Sequence, residues 1–490
     1  MSNEATRPNI LFLFSDQQRA DTVSAYGQIP GAPLNLTPEL DKLAARGTLF
    51  ERQMTCQPVC GPARAVLQTG RYASQIPVQI NDVRLPDNVP TIANYLNDAG
   101  YETAYVGKWH LASQKTGKPE AKDHQDYRVK PIPEAYRGGY KDWWIASDVL
   151  EFTSHGYGGE MFDAEMQSRS FEHYRADATT DFALEYLADR KLRQSEDPFF
   201  LFVSYIEPHH QNDRNRYEGP EGSKERFAEY EAPLDLVKAK ELGIEGDWEK
   251  EFPDYLGQIA SIDENIARYI QALEDAGELD NTVIFYTSDH GSHFKTRNSE
   301  YKRSCHDASI HVPLIIAGPG FDTGRRVESV TSLVDLPATI LEAAGIEVPE
   351  DMQGFPLQAL VKDPKVDQSE EKLTAHPRRA AYVEITEHGL GRAIRTDRYT
   401  YCVQLDVPED RMRQEVYAMF AGDWDENLAF QASPTNYFEM ELYDNEQDPE
   451  QWNNLIADPS YKSIKAELRD TFIQLAKLNE GVEVTVRGGC

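Results

Sequence analysis

Four short apolar runs in this chain end in residues able to do chemistry. Residues 9–14 run into Ser15-Asp16-Gln17, and 101–106 into Gly107-Lys108-Trp109-His110. Residues 199–205 run into Glu207-Pro208-His209-His210, and 282–287 into Ser288-Asp289-His290-Gly291. Asp16, Gln17, Asp289 and His290 are oxygen donors plus one imidazole. That set suits a hard divalent cation, Ca²⁺ ahead of Mg²⁺ or Mn²⁺, better than a soft metal. On spacing alone a competing reading stands: Asp16 and Asp289 cap the turns that follow them, as Asp often does.

Groups so far apart in sequence meet only if the fold gathers them. Apolar runs alternate with helical patterns from residue 9 to about 345. Helices are expected at 37–46, with Thr37 as cap and Pro38 in first position, and at 89–99, 176–190, 255–276 and 333–344. A further strand is expected at 312–317. The alternation predicts an α/β fold with a mostly parallel central sheet flanked by helices on both faces. In such sheets ligands bind at the carboxyl ends of the strands, where the four motifs fall. The charged stretch 361–379, with Pro364 and Pro377, reads as a linker. Short runs at 380–384, 391–395 and 399–404 suit an antiparallel sheet, followed by a helix near 463–478. The expected organisation is a catalytic α/β domain, 1–375, and a smaller C-terminal α+β domain, 376–490. Residues 113–175 and 210–250 have weak periodicity and read as insertions or loops.

The segment from 56 to 71 reads Cys-Gln-Pro-Val-Cys-Gly-Pro-Ala-Arg-Ala-Val-Leu-Gln-Thr-Gly-Arg. It resembles the signature of the type I sulfatases of the alkaline phosphatase superfamily, Cys-x-Pro-x-Arg followed shortly by Thr-Gly-Arg. Only Cys60 fits, because Cys56 has Cys60 rather than Arg four positions on. The resemblance continues through Pro8-Asn9-Ile10 to Asp16, Gly107–Leu111, Pro208-His209, Thr287–Gly291, Lys302 eleven residues before Pro313, and Glu441–Asp444 with Asp448-Pro449. Two positions depart from the pattern. Gln17 stands where a second Asp is frequent, and Ala63 where Ser is commoner.

The resemblance implies that Cys60 is converted to formylglycine by a maturation enzyme, and that one divalent cation is held by Asp16, Gln17, Asp289, His290 and the modified Cys60. One hydroxyl of the aldehyde hydrate attacks sulfur, and loss of a proton from the other expels sulfate; a serine would remain sulfated. The cation polarises the sulfate and acidifies the attacking hydroxyl. Arg64 holds the hydrate, and Lys108 and Lys302 bind sulfate oxygens as point charges. Asp289 assists attack, His110 is the base for elimination, and His209 protonates the leaving oxygen. Taken singly, each residue has a plainer reading as a solvated lysine or a satisfied core histidine, and His210 reads as a neighbour of the functional His209.

Composition bounds the rest. The 490 residues carry 82 acidic and 50 basic side chains, a formal charge of −32. That balance argues against nucleic-acid binding and requires any anion site to be locally positive. No run approaches the roughly 18 apolar residues of a membrane helix. Five cysteines, an odd and sparse set, argue against a disulfide framework. The polar start shows no signal peptide, so the expected location is cytoplasmic, or periplasmic or secreted if a leader has been removed.

The expected substrate is a sulfated small molecule or oligosaccharide. Arg297, Asn298, His155 and the Trp143-Trp144 pair are candidates to read it, with core packing the plainer role for the aromatics. Two other functions compete. One is a phosphonate monoester or phosphodiester hydrolase of the same superfamily, which Gln17 favours. The other is a non-catalytic sulfoglycan-binding protein with Cys60 unmodified. Oligomeric state is not legible in the sequence.

Overall fold

In the computed structural model, described for residues 7–27, 35–76, 78–114, 125–362, 380–387, 390–406 and 435–488, the chain builds two sheets. The larger has eleven strands. From one edge its order is Arg325–Ser332, Thr48–Met54, Leu314–Ala317, Thr282–Ser288, Asn9–Ser15, Phe199–Ser204, Glu102–Lys108, Trp143–Ser147, Tyr157–Asp163 and Ser168–Tyr174, with the short strand His311–Val312 beside Thr48–Met54. The five strands from Thr282–Ser288 to Trp143–Ser147 are mutually parallel. Ser15 pairs with Ser288, and Gly107 with Ser204, so the chemistry-bearing ends emerge at one edge.

The central strand shows why the sheet is covered on both sides. Every residue of Asn9–Ser15 is buried. Ile10, Phe12 and Phe14 join one core with Val66, Leu67, Ile92, Leu96 and Ile340. Leu11 and Leu13 join another with Leu40, Phe182, Tyr186, Ile262 and Ile266. Alternate side chains of one strand therefore feed opposite faces, as the pleat requires. Helices Cys60–Thr69, Ile92–Asp98 and Asp335–Ala343 lie on the first face, and Pro38–Arg46, Arg175–Arg193 and Trp248–Ala276 on the second.

The second sheet orders Ala380–Ile385, Gly391–Thr396, Tyr399–Leu405, Asn436–Asp444 and Thr485–Arg487, antiparallel except for its last pair. Helix Lys462–Glu480 packs on it through Phe472, in the same core that holds Ile10 and Phe12.

Three local expectations are corrected. Residues 113–175 are not simply insertion: they supply a parallel strand, Trp143–Ser147, and an antiparallel hairpin to the main sheet. The helix expected from 255 begins at Trp248 and carries Pro253 inside it. Thr37 does not cap the helix it precedes. Its hydroxyl accepts from the Ser24 amide at 2.8 Å, and Asp263 of the 248–276 helix accepts the free amides of Glu39 and Leu40 at 3.0 and 2.8 Å.

Asp263 is a buried carboxyl whose pKa burial pushes up to about 7 from an ordinary 3.8, against the two amides that favour its charge. Between those values the folded chain keeps a proton that the unfolded chain releases, so this group's contribution to stability falls as pH rises through the window. The stability of the parent relative to Asp263→Ala should therefore be greater at pH 5 than at pH 7.5, by about 1.4 kcal/mol per pH unit in the window. Urea denaturation at both pH values checks this, and a constant difference would sink it.

Candidate active site

Cys60 is the first residue of a helix whose ten residues are all buried. The helix ends at Gly70 in the left-handed conformation, φ 69°, which glycine adopts without a Cβ penalty. Its first turn lies against the carboxyl edge of the parallel strands. Cys60 Sγ is 2.8 Å from Lys302 Nζ, 3.2 Å from His290 Nε2 and 3.5 Å from Asp16 Oδ1. Burial opposes ionisation of the thiol, but Lys302, Lys108 and His290 overcome it and hold its pKa well below the ordinary value.

Arg64 lies one turn further along the same face. One guanidinium nitrogen donates to Lys108 O at 2.8 Å and Ser204 Oγ at 2.7 Å; the other reaches Asp16 Oδ2 at 3.0 Å and Asp289 Oδ2 at 3.7 Å. Lys108 Nζ meets the same Asp16 oxygen at 2.9 Å and Glu151 Oε2 at 3.3 Å. Burial and the Cys60 thiolate work against the Asp16 charge, yet Lys108, His209 and Arg64 keep its pKa below the usual range. Asp289 goes the other way: burial and the neighbouring Asp16 push it up to about 7. The strand can deliver Lys108 here because Gly107 precedes it. With φ at 110°, a Cβ on Gly107 would fall 2.0 Å from the Ser204 carbonyl oxygen.

The histidines divide. His290 Nδ1 bonds the Gly291 carbonyl at 3.0 Å, which turns Nε2 toward Cys60. His110, at φ 58°, faces Asp82 at 3.6 Å; burial pulls its pKa down, but hydrogen bonds with Asp82 and Cys60 carry it up to about 9. His209 Nε2 lies 3.3 Å from Lys302 Nζ, and burial holds it below its ordinary value. His210 turns away and packs on Tyr301, ring centroids 4.3 Å apart.

Asp16, Cys60, Asp289 and His290 each present a donor atom, all within 4.8 Å of one another. Asp289 Oδ2 is buried without a hydrogen-bond donor, the state of an oxygen suited to a cation. The Gln17 amide nitrogen donates to Tyr217 Oη at 2.7 Å, and its backbone N–H to Asp289 Oδ1 at 2.9 Å. The Gln17 backbone thus sits beside the cluster, with the side-chain nitrogen already engaged by Tyr217. The donor set fits a hard dication.

The candidate substrate readers are not gathered at Cys60. Arg297 donates to the carbonyls of Glu450 and Gln451 and stacks on Trp452 at 3.4 Å. Asn298 donates to Lys302 O at 2.9 Å, shaping the loop that carries the lysine. His155 pairs with Asp213 at 2.9 Å near the surface. Trp144 is core, stacked on Tyr105, and Trp143 packs on Tyr186. Sequence reasoning missed Glu151, a lone carboxyl in a four-residue helix, and Asp82, the partner of His110; neither lies in a motif that marks it.

Comparison with known proteins agrees with this geometry. The sulfatase family model matches residues 8–346. The chain belongs to the sulfatase family. A second family model, the C-terminal region of N-sulphoglucosamine sulphohydrolase, matches residues 299–417. The chain is 27% identical to an ulvan-active sulfatase of Formosa agariphila over 98% of its own length and 81% of that protein. It is also 27% identical to an N-acetylglucosamine-6-O-sulfatase of Bacteroides thetaiotaomicron, over 95% of this chain and 85% of that one. Its fold resembles the phosphonate monoester hydrolase of Agrobacterium radiobacter, with a TM-score of 0.62 at 22% identity and 96% of both chains covered. Fold likeness alone thus spans sulfate and phosphonate chemistry.

The buried charges of this sulfatase support one another. Removing Arg64 leaves Asp16 with Lys108 and the more distant His209, so Arg64→Met should cost about 3–5 kcal/mol in chemical denaturation. In the Asp16→Asn background the same change should cost clearly less, and equal costs in both backgrounds would show that the pair is not coupled.

Proposed function

We propose that this sulfatase hydrolyses a sulfate ester of a carbohydrate, through formylglycine made from Cys60 and with one divalent cation, Ca²⁺ by donor type, held by Asp16, Gln17, Asp289 and His290. The observation that carries the reading is the position of Cys60: at a helix start, among a cation-type donor cluster and within reach of Lys108, Lys302 and Arg64. A net-negative chain has here concentrated positive charge around its one signature residue, as an anionic ester requires. The bound cation supplies Lewis acidity toward sulfate oxygens.

The protein's own groups do the rest. Lys302 and Lys108 orient and neutralise the anion. Arg64 anchors the nucleophile-bearing turn to Asp16. Lys302, its ammonium 3.3 Å from His209 Nε2, supplies the proton that His209 delivers to the leaving oxygen. His110 takes the proton from the second hydroxyl. In the unmodified protein His110 is itself protonated, held so by Asp82 and the Cys60 thiolate. Conversion of the thiol removes one of those two holds, while Asp82 remains beside the ring. The carbohydrate assignment is supported by the named activities of the two relatives and by the C-terminal family match.

Coexpression with a formylglycine-generating enzyme should yield a Cys60 peptide bearing an aldehyde and turnover of aryl sulfate above aryl phosphonate monoester. Cys60→Ala should reduce turnover to background, His209→Ala should lower it by about 10²–10⁴-fold, and a chelator should abolish it reversibly. Preference for the phosphonate would move the chain to the hydrolase that Gln17 favours. A thiol left intact despite the maturation enzyme would make it a binding protein.

A further inference from the structure

A second group of metal-type donors lies outside the active site. Cys305, Cys402 and Glu441 present donor atoms all within 4.8 Å of one another. Cys402 and Glu441 are direct cross-strand partners in the second sheet, with the register shift immediately after Cys402. Cys305 arrives from the other side of the interface, on the loop that carries Lys302, and its Sγ is 2.8 Å from Glu441 Oε2. Both thiols are buried, 2% and 5% exposed.

An apolar cluster of Met54, Ile310, Val330, Val383 and Ala393 surrounds the two cysteines. Packing alone would explain two small soft side chains there. It does not explain a carboxylate turned onto them whose nearest donor is a thiol. His306 adds a nearby fourth group: its Nε2 bonds Tyr443 Oη at 3.2 Å and lies 3.9 Å from Glu441 Oε2, and its Nδ1 is buried without a hydrogen-bond partner.

We infer that Cys305, Cys402 and Glu441 form a second metal site, for a soft divalent ion of the zinc class, with His306 beside its fourth position. Two thiolates, one carboxylate and an imidazole are a tetrahedral zinc donor set and a poor one for Ca²⁺ or Mg²⁺. Tetrahedral ligand atoms at about 2.0–2.3 Å from the metal sit roughly 3.3–3.8 Å apart; Cys305, Cys402 and Glu441 already approach that spacing, whereas His306 lies outside the group and must turn inward to complete it. The ion displaces the two thiol protons, and its charge offsets that of the resulting thiolates and the carboxylate. It also fastens the Lys302 loop to the second sheet, making it a structural staple.

The test uses full-length Cys60→Ala protein, whose active-site donor cluster then lacks a thiol, prepared with reductant and chelator and titrated with Co²⁺. A thiolate-to-cobalt band in the near ultraviolet with strong visible d–d bands should appear, and Zn²⁺ should bleach it. The bands should be lost in C60A/C402S and weakened in C60A/E441Q. Zn²⁺ should raise the melting temperature of the Cys60→Ala protein, and this rise should also need Cys402. Circular dichroism establishes that each variant is folded; should C60A/C402S fail to fold, C60A/E441Q carries the comparison. Absence of the band in reduced Cys60→Ala protein overturns the inference. So does a band unchanged in C60A/C402S or C60A/E441Q, or peptide mapping that finds a Cys305–Cys402 disulfide in protein that still refuses cobalt after reduction.

Discussion

The structure turns on one buried anion. Asp16 has no exposure, yet its position at the end of the central strand, with Ser15 paired to Ser288, puts it where a charge must be held without water. Such a charge is tolerable only when paired and hydrogen-bonded. Arg64 and Lys108 meet the same Asp16 oxygen at 3.0 and 2.9 Å. They come from the Cys60 helix and the 102–108 strand, so the pairing that keeps Asp16 ionised also fixes the Cys60 helix against the sheet. The remaining oxygen faces Cys60 and His290. Stability and site geometry are here one set of interactions, and the long-range repulsion of a −32 chain is reversed locally by the cations that Asp16 demands.

The second sheet belongs to this arrangement. The Glu384 amide donates to Cys56 O at 2.8 Å, and the Gln57 side chain donates to Thr386 Oγ1 at 2.6 Å. The Gly61 amide bonds Asn81 Oδ1, the Asn81 amide bonds Glu387 Oε1, and Glu387 Oε2 pairs with Arg303, next to Lys302. One carboxylate therefore links the start of the nucleophile helix to the lysine loop, the two pieces that must converge on a substrate anion. The boundary expected near 375, with the linker expected at 361–379, falls almost wholly outside the described residues. The hydrophobic core crosses it.

The legible parts of the sequence were those whose physics is local. The 9–15 run is apolar throughout because both its faces are buried, and the two Ser-Asp endings advertise the adjacent strands that carry them. The Cys60 signature was readable as a motif, the approach of Lys108, His110 and His209 to one sheet edge followed from the edge rule for parallel sheets, and Lys302 was legible only through the family resemblance. What escaped had no local signal. Trp143–Ser147 lies in a polar, glycine-rich setting, and its membership in the sheet is set by pairing with 104–108. Glu151 becomes significant only because Lys108 meets it across the fold. Asp263 replaces Thr37 as the helix cap from 226 positions away, which no window of sequence contains. Arg297 looked like a substrate reader because it follows the metal motif, yet partners from the C-terminal region claim its guanidinium.

Gln17 shows how the site balances charge against fit. Its φ of 71° is a costly conformation for a side chain other than glycine, and two bonds from the site support it. Its amide donates to Asp289 Oδ1, and its carbonyl accepts from Tyr255 Oη at 2.8 Å. A carboxylate at this position would be a third anion beside Asp16 and Asp289, and Asp289 is already raised to about 7 by burial and by Asp16. The amide spares the fold that repulsion and, through Tyr217, fixes which end of the side chain is engaged. In the proposed cation site this would leave less negative charge to hold an ion, and affinity would depend more on the pre-set positions of the donors than on their charge. Those positions are set by the same Arg64 and Lys108 contacts that keep Asp16 buried.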